Sequence, residues 1–481
     1  MINKIKSLYL NLSAPVKASL WFTISSVIQK GIALLSTPIF TRLLTTEQYG
    51  VYSVYQSWYS IILIFATLNL YAGVYNNGLT KWPNDSKRFT SSLLGLSTTI
   101  TLLLSLLYLA NMSFWNNLLG ISTFFVLAIF IQVLFEPAYN FWAAGQRYEY
   151  KYKKLVAISI FMGIASPVLG ILSVCATEYK AEARVFSYVF IQALIGLFFY
   201  VYDMKNGKTF YNKKYWKYAL AFNLPLIPHY LSQTVLNQAD RVMIANMVGK
   251  SEAAIYSVAY TISMMFTIVT NAINNTFIPY TYKAVRDKKI KDLKGSSNFL
   301  VLFIGLACIV AMAFGPEIIR IFASPEYYAA RWVVPPVAEA LFFMFVYPLF
   351  CNIEFYFEKT KIIMVASGVA AIVNIGLNYI GIKMFGYIVA AYTTLICYIL
   401  LSIAHYIAYR VVARTNGCED DIYDTKFIVI IAIVSLLVMV FMTMIYDHAI
   451  IRYGIVGLIC VVVIVKRKTL IEELKKIKGK A

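Results

Sequence analysis

The sequence has little charge and few of the residues that soluble enzymes use for chemistry. Only 14% of its 481 residues are charged and 60% are hydrophobic, whereas globular domains are nearer a quarter charged and half apolar. It contains three histidines and six cysteines. Because no two cysteines form a CxxC pair, neither a disulfide framework nor a zinc site is indicated.

Common catalytic motifs are absent as well. The sequence has no glycine-rich phosphate loop and no dinucleotide-binding fingerprint, so ATP hydrolysis by this chain is not expected. It also lacks the HExxH and GxSxG patterns of metalloproteases and serine hydrolases. We therefore predict that the protein is not an enzyme and has no catalytic residues, metal site or cofactor.

Long apolar runs are what the sequence does have. Runs of about 20 residues recur along its whole length, as bilayer-spanning helices require. The fold class predicted is an all-α integral membrane protein with about 14 transmembrane helices. The predicted spans are 18–40, 50–73, 88–110, 117–141, 155–176, 185–203, 216–238, 253–279, 297–323, 332–351, 361–382, 385–409, 426–446 and 449–466.

The formal net charge of +20 has a topological explanation. In a soluble protein it would suggest nucleic-acid binding, but here Lys and Arg concentrate in alternate short loops, as expected for loops held in the cytoplasm. We therefore predict no nucleic-acid partner and both termini in the cytoplasm. The few outer basic residues include Arg42, Arg184 and Arg241.

Two stretches about 204 residues apart resemble each other. Tyr52-Ser53-Val54 matches Tyr256-Ser257-Val258, and each tripeptide follows a predicted outer turn into an even-numbered span. This repeat predicts two six-helix lobes of the same orientation, as in parallel-repeat transporters. The predicted organisation is an amphipathic N-terminal segment (1–17), an N-lobe (18–203), a cytoplasmic linker (204–215), a C-lobe (216–409), two further helices (426–466) and a basic tail (467–481).

Lys30 is the strongest single candidate for a binding residue. A lysine in the middle of a span costs a few kcal/mol or more unless it is paired or hydrated. We predict that Lys30 faces a cavity and binds an anion; a salt bridge or a snorkelling side chain is the alternative. Arg42, Asp240 and Arg241 lie at the outer ends of spans, where interfacial anchoring is an equally good explanation.

Other polar side chains recur at helical spacing in the paired spans. His229, Gln233, Asn237 and Asp240 share one face of the seventh span. Facing lipid, such stripes would be costly, so they line a helix seam or a water-filled cavity. The polar candidates for lining such a cavity are Gln56, Gln233, Asn237, Tyr260 and Asn271.

A second group of residues is a candidate for gating or ion coupling. Pro225 and Pro228 interrupt the seventh span. Such a break either forms part of a gate or only adapts the shape of the helix. His229 and Asp240 could change charge with pH or pair with a neighbour. Glu339 looks deepest of the acids and could carry a proton, although a structural ion pair is the alternative.

Three segments of the chain are typical of a known family: PIFTRLLTTEQYGVYS at residues 38–53, DRVMIA at 240–245 and AIYSVAY at 254–260. On these segments the chain resembles the polysaccharide transporter family, the Wzx-type flippases of O-antigen and capsule repeat units, within the multidrug/oligosaccharidyl-lipid/polysaccharide exporter superfamily. The resemblance implies a bacterial inner-membrane protein that moves an undecaprenyl-pyrophosphate-linked oligosaccharide outward by alternating access. Lys30, Arg42 and Arg241 would then attract the pyrophosphate. The residues that would meet the sugars are Gln56, Gln233, Asn237, Tyr260 and Asn271.

The implied partners are the polyprenyl-linked glycan, membrane lipid, a glycan polymerase and a chain-length regulator. Two alternatives share the superfamily: a peptidoglycan-precursor (lipid II) flippase, and a multidrug exporter that would use acidic residues for organic cations. A membrane glycan polymerase is the alternative from a different class. It would commonly need a sizeable outer loop, which the sequence lacks.

Overall fold

The computed structural model describes residues 13–417 and 421–465. The predicted amphipathic segment (1–17) lies mostly outside this part of the chain, and the basic tail (467–481) lies wholly outside it. Within the described residues every regular element is helical. The helices are α1 (Ala14–Leu43), α2 (Thr46–Thr67), α3 (Gly73–Lys81), α4 (Ser86–Ala110), α5 (Met112–Leu119), α6 (Thr123–Tyr148), α7 (Tyr152–Cys175), α8 (Lys180–Gly207), α9 (Lys213–Asn223), α10 (Ile227–Met247), α11 (Lys250–Ser263), α12 (Phe266–Arg286), α13 (Ile290–Ala313), α14 (Gly315–Phe322), α15 (Val334–Tyr356), α16 (Thr360–Phe385), α17 (Val389–Thr415), α18 (Thr425–Met444) and α19 (Ala449–Val465).

The all-α membrane fold is confirmed, but the count of 14 spans is not. Ten helices of the described chain are long and apolar enough to cross a bilayer, and α11 with α12 makes an eleventh if that pair, bent by 41°, is one span. The remaining predicted spans correspond to α2, to α9 with α10, and to the short helix α19. These fall short because polar residues dilute α2 and α10 and because α19 is brief.

The seventh predicted span is broken at its two prolines. A single 3₁₀ turn, Leu224–Leu226, separates α9 from α10. Pro225 lies in the first two positions of the 3₁₀ turn, and Pro228 lies in the first two positions of α10. A missing backbone donor is tolerated at these positions. Asn223, fully buried at the break, donates its side-chain amide to the carbonyl of Leu68 at 2.7 Å. The break predicted from the prolines is therefore present.

The described chain divides into two compact units, the first ending at Ala254 and the second beginning at Ile255, with the boundary inside α11. In the first unit α8 packs on α6 and α7, α1 packs on α7, and α10 packs on α2. In the second unit α15 is central: it packs on α13, α17 and α18 and is buried along most of its length. The predicted six-helix lobes remain a prediction.

The segments that precede the two repeated tripeptides are in contact within the first unit. Thr46 at the start of α2 donates its hydroxyl to Ser251 at 3.0 Å. One turn later, Gly50 lies so close to the backbone of Lys250 that a Cβ atom would stand 1.9 Å from the Lys250 carbonyl oxygen. Only glycine allows this approach. The N-terminal ends of α2 and α11 therefore pack directly on each other at Gly50 and Lys250.

Gly50→Ala is expected to lower the free energy of unfolding by about 1–3 kcal/mol, the usual effect of overpacking. Gly295 in α13 provides the control, because a Cβ there would meet nothing within 4 Å. Gly295→Ala should raise stability by about 0.5–1 kcal/mol through helix propensity. Denaturant unfolding of the purified variants measures both changes, and equal effects would contradict the close packing at Gly50.

The last described helix is tied to α14 by an ion pair in the second unit. Arg452 donates from Nη1 and Nη2 to the two carboxylate oxygens of Glu317, at 2.9 and 2.7 Å. Tyr453 donates to the same carboxylate at 2.8 Å. The predicted span 297–323 in fact ends at Ala313, so Glu317 lies beyond it. Hydrogen bonds from Arg452 lower the pKa of Glu317 from 4.5 to about 2.

This lowered pKa predicts an acid-sensitive contact. Ionised Glu317 stabilises the fold fully above pH 4.5, its ordinary pKa, and the contribution is lost as the pH falls toward 2. The difference in melting temperature between the wild type and Glu317→Gln should therefore be largest near pH 7 and shrink below pH 4.5. The exposed Glu326 provides the control variant Glu326→Gln, which should show almost no difference. A difference for Glu317→Gln that is constant with pH would contradict the pairing.

Candidate functional site

A polar cavity of about 440 Å³ lies inside the first unit. Five helices line it: α1, α2, α6, α7 and α8. Its size falls within the range usual for small-molecule sites. Its lining residues are Gln29, Ala33, Ser36, Tyr52, Gln56, Glu136, Tyr139, Asn140, Ser159, Met162, Gly163, Ser166, Pro167, Arg184, Tyr188 and Gln192.

Arg184 is the basic residue of this lining. Only 7% of Arg184 is exposed. Its guanidinium carbon lies 3.9 Å from the ring centroid of Phe40 and 4.5 Å from that of Tyr52, and Nη2 donates to the Tyr52 hydroxyl at 3.3 Å. A Cβ on Gly170 would lie 3.0 Å from Nη1, so the glycine makes room for the guanidinium.

The charge of Arg184 is not neutralised by an ion pair with any residue in the described ranges. Its buried Nη1 atom also has no hydrogen-bond partner there. A buried cation without a counter-ion is costly in a low-dielectric setting. An anionic group bound in the cavity would relieve that cost, and the planar guanidinium suits phosphate and carboxylate oxygens.

Glu136 is the acidic residue of the cavity, and neutral groups satisfy it. One carboxylate oxygen accepts hydrogen bonds from the Tyr59 hydroxyl at 2.6 Å and from the Gln132 amide at 2.8 Å. Gln132 in turn accepts from Tyr55 at 2.7 Å. None of the ion pairs among the described residues involves Glu136. This network holds α2 against α6.

The rest of the lining is rich in amides and hydroxyls. Gln56 donates to the Tyr52 hydroxyl at 3.1 Å, which ties it to the oxygen that Arg184 contacts. Tyr139 and Ser159 share a hydrogen bond of 2.7 Å across α6 and α7. Such groups both donate and accept. The cavity can therefore meet an anion at Arg184 and hydroxyl-rich groups elsewhere.

Among the candidates in α1 and α2, Gln56 lines the cavity, whereas Lys30 and Arg42 do not. Lys30 is half-buried in α1 next to Gln29, which does line it. Arg42 is exposed at the end of α1, where its Nη1 donates to the carbonyl of Pro38 at 2.7 Å. The anion-binding roles of Lys30 and Arg42 stay predictions.

The candidates on α10 belong to a chain of polar contacts in the first unit. Asn237 donates to the carbonyl of Gln233 at 2.8 Å. Arg241 donates to the side chain of Gln238, which also accepts from Ser57 on α2 at 3.2 Å. On the same helix Asp240 is buried, and near its start His229 is half-buried beside Tyr230. The sugar-contact and gating roles of these residues stay predictions.

The remaining candidates lie in the second unit. Tyr260 is buried and stacks on Tyr256 with a centroid distance of 5.9 Å. Asn271 is exposed on α12. Glu339 is fully buried and accepts a hydrogen bond from Ser435 at 2.6 Å. A proton-carrying role for Glu339 stays a prediction.

A buried acid–base pair joins α15 and α17 in the second unit. His405 Nδ1 lies 2.8 Å from Glu354 Oε1, and neither side chain is exposed. The ring of Tyr347 stacks on His405 with a centroid distance of 5.7 Å. The sequence places Glu354 near a span end without identifying His405 as its partner. Residues so far apart along the chain carry no local sign of the contact.

Arg184 is the main residue that the sequence analysis missed. The apolar window of the sixth predicted span begins at residue 185, which places Arg184 in an outer loop. The helix begins earlier, at Lys180, so Arg184 lies one turn inside it. A sequence signal is available: Ala181 and Ala183 alternate with Glu182 and Arg184, and alanine favours helix.

Two protein-family models match the sequence of this chain. The family model described as polysaccharide biosynthesis protein matches residues 16–285, more than half of the chain. A second family model, MatE, matches residues 225–380. Among curated proteins, Lsg locus putative protein 1 of Haemophilus influenzae is 22% identical over 387 residues, covering 75% of this chain and 89% of that protein.

Solved transporter structures share the fold. A lipid II flippase MurJ in an inward closed conformation superposes with a TM-score of 0.68 at 13% identity, covering 94% of this chain and 100% of that one. An inward-facing multidrug resistance MATE family transporter superposes with a TM-score of 0.58 at 13% identity, covering 84% and 100%. At these identities the likeness establishes the fold.

Proposed function

Because the chain belongs to the polysaccharide biosynthesis protein family, within the multidrug/oligosaccharidyl-lipid/polysaccharide exporter superfamily, we propose that it is a flippase. Its substrate is an undecaprenyl-pyrophosphate-linked oligosaccharide, carried across the bacterial inner membrane by alternating access. The product serves O-antigen, capsule or a related surface polysaccharide. Both termini lie in the cytoplasm, and a glycan polymerase and chain-length regulator act on the exported units.

The observation that supports this proposal most directly is the buried guanidinium of Arg184 in a polar cavity, which has no ion-pair partner in the part of the chain that the structure describes. A pyrophosphate and a glycan cannot cross hydrocarbon unaided, because their polar groups would lose their hydrogen bonds. Arg184 offers the phosphate oxygens a charged donor. Gln56, Tyr139 and Ser159 offer neutral donors and acceptors to sugar hydroxyls.

The two superfamily alternatives differ in how well they suit this cavity. A lipid II flippase carries the same pyrophosphate, and the fold is shared with MurJ, so only the glycan distinguishes it. A multidrug cation exporter fits less well. Its substrate would meet the positive charge of Arg184, and the acid of the cavity, Glu136, already accepts two hydrogen bonds.

Deleting the gene tests the proposal in cells. The flippase predicts that lipid-linked repeat units accumulate in the cytoplasmic leaflet, shielded from a periplasmic glycan-modifying enzyme. Complementation with the wild-type gene should restore their exposure. Units that reach the outer leaflet without being polymerised would overturn the proposal in favour of a polymerase.

A further inference from the structure

A second cavity of about 650 Å³ forms an apolar groove between α16 and α17 in the second unit. Apart from Lys361 at one end, its lining is apolar, with Val365, Val369 and Val373 on α16 and Leu400 on α17. It contains no partner for a sugar or a soluble ion beyond that lysine. The groove is therefore suited to a hydrocarbon chain.

The length of the groove matches one leaflet of a bilayer. Its α16 side runs from Lys361 to Val373, about 18 Å at the helical rise of 1.5 Å per residue. The hydrocarbon core of a bilayer is about 30 Å thick, so each leaflet accounts for about 15 Å. The groove thus begins at a helix end and stops near mid-membrane.

The shape of the groove comes from its small residues. Ala366, Ala370 and Ala404 leave space between the helices, whereas Val365 and Val369 are 59% and 55% exposed and form a raised edge. A flexible chain lying in this space would contact side chains on both helices. A flat helix surface offers a lipid chain no such two-sided contact.

The open end of the groove carries positive charge. Lys359 and Lys361 are exposed where α16 begins, and Arg414 is exposed at the adjoining end of α17. None of the ion pairs within residues 13–417 and 421–465 involves these three side chains. The positive-inside pattern puts this end on the cytoplasmic side, where basic pockets between helices attract anionic headgroups.

We propose that this groove is a binding site for an anionic glycerophospholipid of the cytoplasmic leaflet. One acyl chain lies between α16 and α17, and the phosphate contacts Lys361. A phospholipid fits the one-leaflet length, whereas the much longer undecaprenyl tail would extend far past Val373. The site is independent of the proposed substrate and would exist whatever the protein transports.

Lipid retention by the purified full-length protein tests this site. The protein in detergent is offered phosphatidylglycerol and phosphatidylcholine with identical acyl chains, and bound lipid is counted by native mass spectrometry. The wild type should retain phosphatidylglycerol about fivefold more than phosphatidylcholine, the selectivity expected from one lysine near a phosphate. Lys361→Ala should lower this selectivity severalfold, because Lys361 is the basic residue that lines the groove. Ala370→Leu, which fills the groove, should lower retention of both lipids.

Lys383, exposed at the opposite end of α16, supplies the matched control. Lys383→Ala should leave the selectivity unchanged. Equal retention of the two lipids by the wild type, or equal effects of Lys361→Ala and Lys383→Ala, would overturn the proposal. Efficient displacement of phosphatidylglycerol by undecaprenyl phosphate would also overturn it, by assigning the groove to the carrier lipid.

Discussion

Arg184→Gln is expected to slow transport of the lipid-linked glycan by about ten- to a hundredfold, the effect of losing a hydrogen bond to a charged group. Arg184 is the buried cation of the cavity, and its Nη1 atom has no protein partner within the described chain. The glutamine retains a polar side chain but removes the charge that would meet the pyrophosphate. Transport by the purified variant in proteoliposomes measures the change.

Two variants separate an anion-binding role from a structural one. Lys180→Gln removes a cation one turn earlier on α8, where the ammonium contacts the carbonyl of Leu43 at 3.3 Å, and should leave transport nearly unchanged. Arg184→Lys keeps the charge but loses the planar stacking on Phe40 and Tyr52, so it should recover part of the rate. Normal transport by a well-folded Arg184→Gln protein would contradict the anion site.

Glu354→Ala should destabilise the protein by about 1–3 kcal/mol, the usual cost of leaving a buried hydrogen-bonding group without its partner. Glu354 and His405 are both fully buried, with 2.8 Å between their contacting atoms. Loss of the carboxylate leaves the His405 ring without that partner and opens a void between α15 and α17. Denaturant unfolding of the purified protein measures the change.

The double variant Glu354→Ala/His405→Ala tests whether the pair acts as a unit. Its destabilisation should be smaller than the sum of the single changes by about 0.5–3 kcal/mol, because the second change removes a side chain already unpaired. The exposed Glu326 again provides a control, and Glu326→Ala should cost less than about 0.5 kcal/mol. Strict additivity would show that the two side chains do not interact.

Much of the helical architecture could be predicted from sequence periodicity and apolar length. The break at Pro225 and Pro228 was predictable because proline removes a backbone donor. The start of α2 was also readable: Thr45 and Gln48 form a reciprocal capping box, yet the predicted span began at residue 50. Apolar windows miss such boundaries because they ignore the polar first turn of a helix.

The candidate site was less predictable, because burial depends on packing between distant helices. Gln56 was identified from its place in a polar stripe and lines the cavity. Lys30 is a charge in the middle of a predicted span, which makes it a candidate for the site. It does not line the cavity, whereas its neighbour Gln29 does. Arg184 precedes the apolar window of its span, so the sequence predicts a loop position for it. In the structure α8 places it against Phe40 and Tyr52. Sequence spacing shows which residues share a helix face, but not which face borders a cavity.

Reconstituted transport tests the central proposal most directly. The purified protein is placed in proteoliposomes that contain either an undecaprenyl-pyrophosphate-linked repeat unit or lipid II, and a membrane-impermeant glycan-modifying enzyme reports which molecules have crossed. A parallel assay measures uptake of a fluorescent organic cation. We expect rapid crossing of the repeat unit and much slower crossing of lipid II and the cation. Crossing of the repeat unit no faster than in protein-free vesicles, with transport of lipid II or the cation instead, would contradict the proposed function.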